Sequence, residues 1–134
     1  MVRPKAQKSA LLGFLALAMM LFGFSNAFSQ ENDSVVVVRM TNDMKFVPDQ
    51  LTIKVGQTVE WVSEPEAPAH SVSTDPDKAS DPSHVSFPSG AKPFDSGVIK
   101  GGKPFRHTFT VPGIYHYVCL PHEDAMRGEI TVTQ

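Results

Sequence analysis

Beyond position 34, apolar residues occur in short runs or alternate with polar residues, and proline and glycine interrupt them. Val35–Met40 begins with a run of β-branched residues that suits a buried strand. In Gln50–Val55 every second residue is apolar, which places the apolar side chains on one face of an extended strand. Because no stretch of this region has the periodicity of a long helix, the pattern predicts an all-β protein.

The same criteria predict about eight short strands, which is the pattern of a β-sandwich. Gly56-Gln57 and Pro112-Gly113 are predicted turns between consecutive strands. Residues 75–93 are rich in Pro, Ser and Asp and are predicted to form one long loop, with one helical turn around Asp77–Ser83. The predicted strands are Val35–Met40, Gln50–Val55, Thr58–Ser63, Ala69–Thr74, Phe94–Ile99, Pro104–Thr110, Ile114–Cys119 and Gly128–Thr133.

The first 27 residues have the features of a secretory signal peptide. Three basic residues precede the apolar run Ala10–Phe24, which is shorter than the roughly 20 residues that a membrane span needs. Ser25–Ala27 has small residues at its first and last positions, as a cleavage site does. An uncleaved N-terminal anchor is the alternative. We expect export to the periplasm or the extracellular space and a mature domain over residues 28–134.

The composition of this part limits the classes of partner. Its 107 residues suffice for one small domain with one core. All 14 acidic residues lie in it and three of the 12 basic residues precede it, so its formal charge is −5. A negative charge disfavours nucleic acid and anionic membranes, and it suits a basic partner or serves solubility alone. We expect a monomer whose domain does not insert into a membrane.

The only cysteine of the chain lies close to two other donor side chains. Cys119 is followed by His122 after two residues and by Met126 after three more. A lone cysteine in an exported protein cannot form an internal disulfide, and an exposed thiol would be open to oxidation. The thiol is therefore buried and inert, or a metal caps it. Thiolate, imidazole and thioether together suit copper that cycles between its two oxidation states.

These donors fall in a predicted loop between two strands, because Pro121 stiffens a turn and Gly128 opens the last strand. One further ligand is needed. His116 is predicted to point away from the cysteine, and His84 is predicted to be a solvated loop residue. Strand periodicity does not exclude His107, although a packed histidine is more common between two phenylalanines. We favour His70, at the start of a predicted strand.

Nearly all of residues 28–134 resembles the cupredoxins, the small blue copper proteins, and most closely their plastocyanin, pseudoazurin and halocyanin branch. The specific part of the likeness is the Cys, His and Met spacing paired with an upstream His-x-Val. The resemblance implies a Greek-key β-sandwich with copper near one end. It implies four copper ligands, which are His70, Cys119, His122 and Met126. The segments that carry the likeness are Phe46–Pro48, Leu51–Ile53, Val55–Trp61, Pro68–Val72, Phe94–Gly97 and Tyr115–Val132.

Two positions depart from the usual pattern of these relatives. Three residues separate His122 from Met126, a spacing between those of plastocyanins and amicyanins, so the strength of the axial methionine bond and the colour of the site stay open. Ser71 stands where many relatives have an asparagine that ties the first histidine loop to the cysteine loop. A serine can make the same kind of hydrogen bond with a shorter reach.

The resemblance implies a type 1 blue copper electron carrier that cycles between Cu(I) and Cu(II) and shuttles one electron between redox protein partners. We expect no enzyme activity, because no acid/base pair is apparent and the chain has no room for a second copper domain. The alternatives are copper storage or delivery, a zinc site, to which Met126 would add nothing, and a metal-free structural sandwich.

In cupredoxins electrons leave through the histidine of the cysteine loop, so the resemblance places docking of the donor and acceptor near His122. By position, the hydrophobic rim of the docking surface is expected to consist of Met44, Pro68, Ala69 and Pro121. Four acidic residues flank the same loops and are expected to steer a basic partner: Glu64, Glu66, Glu123 and Asp124.

Overall fold

The computed structural model describes residues 34–134, which form seven β-strands and two short 3-10 turns. The predicted signal peptide (residues 1–27) and the predicted start of the domain at residue 28 lie outside the described residues. No helix within residues 34–134 has the length and apolar character needed to cross a membrane. The strands are β1 (Val36–Met40), β2 (Phe46–Val47), β3 (Gln50–Lys54), β4 (Thr58–Ser63), β5 (Pro104–Thr108), β6 (Gly113–Val118) and β7 (Arg127–Thr133).

The strands pair in two sheets around one core. The four-stranded sheet has the order β2-β1-β4-β5, and the three-stranded sheet has the order β3-β7-β6. β1 runs parallel to β4, and β3 runs parallel to β7, whereas the other pairs are antiparallel. The chain crosses between the sheets after β2, β3 and β5, so β1 and β3 pair with strands that are distant in sequence. The predicted all-β Greek-key sandwich is confirmed.

The predicted turn at Gly56-Gln57 carries the chain between the two sheets and does not close a hairpin. The N–H of Gln57 donates to the carbonyl of Lys54 (3.1 Å), and Gly56 has a φ of 91°, a value that favours glycine. The strands on either side, β3 and β4, belong to different sheets. The turn residues thus mark where a strand ends, but they do not determine which strand it pairs with.

Two predicted strands, Ala69–Thr74 and Phe94–Ile99, are not regular strands. They pair through isolated bridges, one of which involves His70, and through single hydrogen bonds such as that from the N–H of Ser96 to the carbonyl of Val72 (2.9 Å). The N–H of Val72 donates to Ser96 Oγ (2.8 Å), so a side chain takes the place of a backbone carbonyl as the acceptor. Hydroxyl groups compete with neighbouring backbone groups in this way, which the apolar pattern alone does not reveal.

The predicted loop over residues 75–93 lies along the edge of β6. Ser86 and His116 exchange two backbone hydrogen bonds of 3.1 and 3.0 Å. A 3-10 turn is present at Pro82–His84, at the end of the predicted range Asp77–Ser83 and one residue beyond it, and the side chain of Asp81 caps it. The loop therefore has defined contacts along the sheet beside the cysteine.

Trp61 on β4 occupies the centre of the core and is fully buried. Because the surrounding rings come from both sheets, their packing fixes one sheet against the other. Cys119 and Met126 belong to the same buried cluster. The rings within 6.4 Å of the Trp61 ring are those of Phe94, Phe105, Phe109 and Tyr117.

Candidate metal centre

Residues Cys119–Met126, the cysteine loop, leave the core after β6 and return to it before β7. Leu120–His122 forms a 3-10 turn that contains Pro121, in agreement with the stiff turn predicted from the sequence. The N–H of Cys119 donates to the carbonyl of Met126 (3.0 Å), and the N–H of Met126 donates to the carbonyl of His122 (2.9 Å). These hydrogen bonds bring the two ends of the loop together.

Three of the four predicted donors converge at this loop. Sγ of Cys119 lies 3.7 Å from Nδ1 of His70 and 3.4 Å from Nδ1 of His122. The donor atoms of the three residues all lie within 4.8 Å of one another. Bonds of about 2.3 Å to sulfur and about 2.0 Å to nitrogen in a near-tetrahedral site place the two donors about 3.5 Å apart. The observed separations therefore fit one metal ion.

His70 is fully buried, and its backbone exchanges hydrogen bonds of 3.0 and 2.7 Å with Ile99. Its Nε2 lies 2.9 Å from the carbonyl oxygen of Thr41, which can only accept, so Nε2 carries the proton and Nδ1 keeps its lone pair. Burial lowers the pKa of His70 more than the bond to Thr41 raises it, and the nearby His122 lowers it further. His70 is thus a neutral imidazole with Nδ1 free to bind a metal.

The thiol of Cys119 is fully buried, and its sulfur accepts a hydrogen bond from the N–H of Ser71 (3.3 Å). Burial raises the pKa of Cys119, whereas the N–H groups of Ser71 and His122 favour the thiolate. A bound cation would stabilise the thiolate far more strongly than these N–H groups do. Ser71 Oγ also accepts from the N–H of Leu120 (2.8 Å), so the predicted hydrogen bonding by this serine is confirmed.

His122 differs from the other predicted donors in its exposure. It is half-buried, whereas His70, Cys119 and Met126 are fully buried. The rings of His70 and His122 meet edge to face, with their centroids 5.4 Å apart. Met126 packs in the same buried cluster as Cys119. An imidazole at the boundary between the core and the surface therefore flanks the thiol.

Two other histidines have the surroundings that the sequence predicts for them. His107 stacks on Phe94 with a centroid distance of 4.1 Å and contacts Phe109 edge to face, so it is the expected packed histidine. His116 is exposed, and its ring lies 2.8 Å from Ser86 Oγ and 3.1 Å from a carboxylate oxygen of Glu129. Neither residue belongs to the group that converges on Cys119.

His84 lies outside the group of converged donors, as predicted, but it is only partly exposed, and the prediction that Glu123 faces a partner is wrong. Glu123 is only 6% exposed, so it is not a charge that faces a partner. Its carboxylate accepts from the N–H of Ser80 (2.7 Å) and of Asp81 (2.9 Å), and Nδ1 of His84 lies 3.0 Å away. Burial acts to raise the pKa of Glu123, but these hydrogen bonds outweigh it and hold the pKa below its ordinary value. Since the donors come from a distant loop, no local sequence pattern signals this contact.

The family model described as copper binding proteins, plastocyanin/azurin family, matches residues 33–133. The chain belongs to this family. A plastocyanin from Scenedesmus fuscus is 35% identical over 92 residues, which cover 65% of this chain and 85% of that protein. An amicyanin from Paracoccus denitrificans is 31% identical over 106 residues, which cover 79% of this chain and 71% of that protein.

Solved structures agree with this membership of the plastocyanin/azurin family. An amicyanin mutant with Cu(I) matches with a TM-score of 0.59 at 31% identity, covering 75% of this chain and 84% of that one. A copper-containing nitrite reductase from Thermus scotoductus matches with a TM-score of 0.58 at 31% identity, but the match covers only 23% of that chain. The predicted cupredoxin resemblance is confirmed, and copper is the cofactor that the family and the converged donors support.

Proposed function

We propose that this cupredoxin is a type 1 blue copper electron carrier whose ligands are His70, Cys119, His122 and Met126. Copper held by one thiolate, two imidazoles and a weak thioether takes up and releases single electrons. The observation that carries the proposal is the convergence of two Nδ1 atoms on one buried thiol, at 3.4 and 3.7 Å. Met126 supports the fourth position because it is buried at the end of the same loop.

The surroundings of the donors favour electron transfer because they restrain the ligands. Thr41 and Ile99 hold the ring and the backbone of His70, and Ser71 holds the thiol. Donors that keep their positions in both oxidation states leave little to rearrange when an electron moves. We propose a carrier and not an enzyme, since the likeness to the nitrite reductase covers a small part of that enzyme.

The docking surface for the donor and the acceptor is proposed at the end of the sandwich where His122 lies. The side chain of Met44 is 38% exposed, Pro68 and Pro121 are exposed, and Ala69 is half-buried. These residues suit an apolar rim around the half-buried imidazole. Such a rim allows close approach of a partner without a need to desolvate many charges.

The charges beside this surface are fewer than the sequence suggests. Glu123 is buried, and Glu64 lies 2.9 Å from Arg39 in an ion pair. Glu66 and Asp124 stay exposed, and the fully exposed Asp124 lies 3.7 Å from Arg127 in a longer ion pair. We propose that these two residues supply the steering of a basic partner, an effect that weakens as salt concentration rises.

We also propose that the protein is exported and cleaved before Phe28. The support is the basic start, the apolar run Ala10–Phe24 and the small residues of Ser25–Ala27. Mass spectrometry of the protein recovered from the periplasm or the medium of an expressing bacterium tests this proposal. A chain that retains residues 1–27 would contradict it.

The proposed function is tested with the Cu(II)-loaded domain expressed from Phe28. We expect an intense visible band from thiolate-to-copper charge transfer, which bleaches on one-electron reduction and returns on oxidation. Cys119→Ser should abolish the band, whereas His107→Phe, which alters a packed histidine outside the converged group, should keep it. Each of the variants His70→Ala and His122→Ala should abolish or strongly alter the band.

Two results would overturn the proposal. The absence of a band in the unaltered, copper-loaded protein would remove the blue copper site. A band that forms but does not survive repeated oxidation and reduction, together with rapid loss of copper to a chelator, would favour copper storage or delivery.

A further inference from the structure

Glu123 directly follows His122 and is buried although it carries a carboxylate. Its oxygens accept from the backbone N–H groups of Ser80 and Asp81, and the ring of His84 lies at hydrogen-bond distance. A carboxylate is stable in such a place only where donors replace the lost water. Residues 80–84, here called the receiving segment, supply those donors from the long loop.

The receiving segment is held in shape by its own contacts. The carboxylate of Asp81 accepts from the N–H (2.9 Å) and the hydroxyl (2.7 Å) of Ser83. The N–H of His84 donates to the carbonyl of Asp81 (3.0 Å), and His84 Nε2 lies 3.5 Å from the Asp81 carboxylate. The donors that meet Glu123 are therefore fixed by interactions that do not involve the cysteine loop.

Glu123 is also held through its backbone, because Nε of Arg127 donates to its carbonyl (2.9 Å). The residue before it, His122, is the one predicted donor that is not fully buried. Core packing restrains Cys119 and Met126 at the two ends of the loop, but it restrains His122 less. The contacts of Glu123 therefore lie directly beside the least buried of the predicted donors.

We infer that Glu123 is a positioning residue for His122, and that its carboxylate, seated in the receiving segment, orients the His122 imidazole toward Cys119. The inference deepens the proposed function, since it rests on His122 as a copper ligand. It assigns the long loop a role at the copper site, although that loop supplies no copper ligand. Loss of the carboxylate should loosen the middle of the cysteine loop and leave the rest of the sandwich intact.

The first test uses the copper-free domain and amide hydrogen exchange measured by NMR. The amides of Ala125 and Met126 both donate to the carbonyl of His122 and so report on the loop. In Glu123→Ala we expect their exchange to accelerate by at least about tenfold, since hydrogen bonds to a buried charge are lost. Glu123→Gln keeps one acceptor oxygen, so its exchange rates should lie between those of the unaltered protein and those of Glu123→Ala. The amide of Ile130 on β7 should not change.

Glu129→Ala is the matched control, because Glu129 also contacts a histidine, His116 at 3.1 Å, but lies outside the cysteine loop. It should leave the exchange of Ala125 and Met126 unchanged. Equal rates in Glu123→Ala and the unaltered protein would overturn the inference. An acceleration that is just as large at Ile130 would also overturn it, because Glu123 would then be a general stability contact.

The second test uses the Cu(II)-loaded proteins. Glu123→Ala should change the copper hyperfine splitting in electron paramagnetic resonance and the position or intensity of the thiolate band, and Glu129→Ala should not. Unchanged spectra despite faster exchange would overturn the orienting role. If the unaltered protein lacks the thiolate band, the proposed function fails, and the exchange rates of the copper-free proteins still decide whether Glu123 anchors the loop.

Discussion

The backbone N–H of Ser71 lies 3.3 Å from Sγ of Cys119 and donates a hydrogen bond to it. The hydroxyl of the same serine accepts from the N–H of Leu120 at 2.8 Å. The residue that follows His70 is thus joined to the cysteine loop through both its backbone and its side chain. The two contacts differ in chemistry, so they can be separated by mutation.

Ser71→Ala should remove the bond to Leu120 and keep the bond to the sulfur. We expect the free energy of unfolding of the copper-free domain to fall by about 1–2 kcal/mol, because a partly buried N–H loses its acceptor. The thiolate band of the copper form should remain. Urea unfolding and the visible spectrum check these two expectations.

Ser73→Ala is the control for this serine. Ser73 is also buried, but its hydroxyl accepts only a local bond from the N–H of Asp75 (3.2 Å). Loss of the Ser73 hydroxyl should lower the free energy of unfolding by less than loss of the Ser71 hydroxyl. Equal costs would argue against a special contribution from the link between the two loops.

Met126→Leu should keep the fold and change the redox properties. A substitution of similar volume in a packed core usually costs under about 1.5 kcal/mol. Because the proposed axial donor is lost, we expect Cu(II) to be less stabilised and the reduction potential to rise. Voltammetry measures the potential. Ile53→Leu, a similar substitution on β3, should leave it unchanged, and an unchanged potential in Met126→Leu would argue against axial ligation.

His107 should make the copper-free protein less stable in mild acid. Burial lowers the pKa of His107 below its ordinary value of 6.5. Above that value the imidazole is neutral in both the folded and the unfolded state, so stability does not change with pH. As pH falls through 6.5, the unfolded state takes up the proton first and stability falls, by at most about 1.4 kcal/mol per pH unit, until the folded pKa is passed.

The measurement compares urea unfolding of the unaltered protein and His107→Phe between pH 7.5 and 5, a range chosen around the ordinary pKa of about 6.5 for histidine. Phenylalanine keeps the aromatic stacking on Phe94. All other titrating groups are common to the two proteins, so the change in their stability difference isolates His107. Parallel stability curves would contradict the prediction.

Gly128→Ala should strongly destabilise the sandwich, because an added methyl group would overlap the ring and hydroxyl of Tyr117. We expect a loss of about 3 kcal/mol in the free energy of unfolding. At Gly101 the methyl group would meet nothing within 4 Å, so Gly101→Ala should cost only the strain of its positive φ of 65°, about 1 kcal/mol. A smaller side chain, in Tyr117→Leu, should relieve most of the Gly128→Ala penalty.

The features that could be predicted are those that depend on residues close to one another in sequence. The bounds of β4 agree with the predicted Thr58–Ser63, because its residues alternate between the core and the outside. Cys119, His122 and Met126 are close in sequence, so their shared loop could be predicted. The parallel pairing of β1 with β4 has no such signal, because it depends on how the whole chain crosses between the sheets.

The contacts that support the site could not be predicted for a related reason. Thr41 holds His70 through a backbone carbonyl, and every residue type supplies that group. Glu123 appears as a surface charge in the sequence, because the donors that stabilise it in the interior lie about 40 residues earlier. His70 could be favoured among the histidines, but only the fold brings it to the thiol.

The contact of Glu123 with residues 80–84 has a consequence for protein engineering. A graft of the cysteine loop alone assumes that the loop carries all of the contacts that support it. Here a graft of Cys119–Met126 alone into another sandwich would separate the Glu123 carboxylate from the N–H groups of Ser80 and Asp81 that meet it in this protein. A successful transplant would have to carry Ser80–His84 with it, so the smallest transferable unit of this site consists of two segments that are distant in sequence.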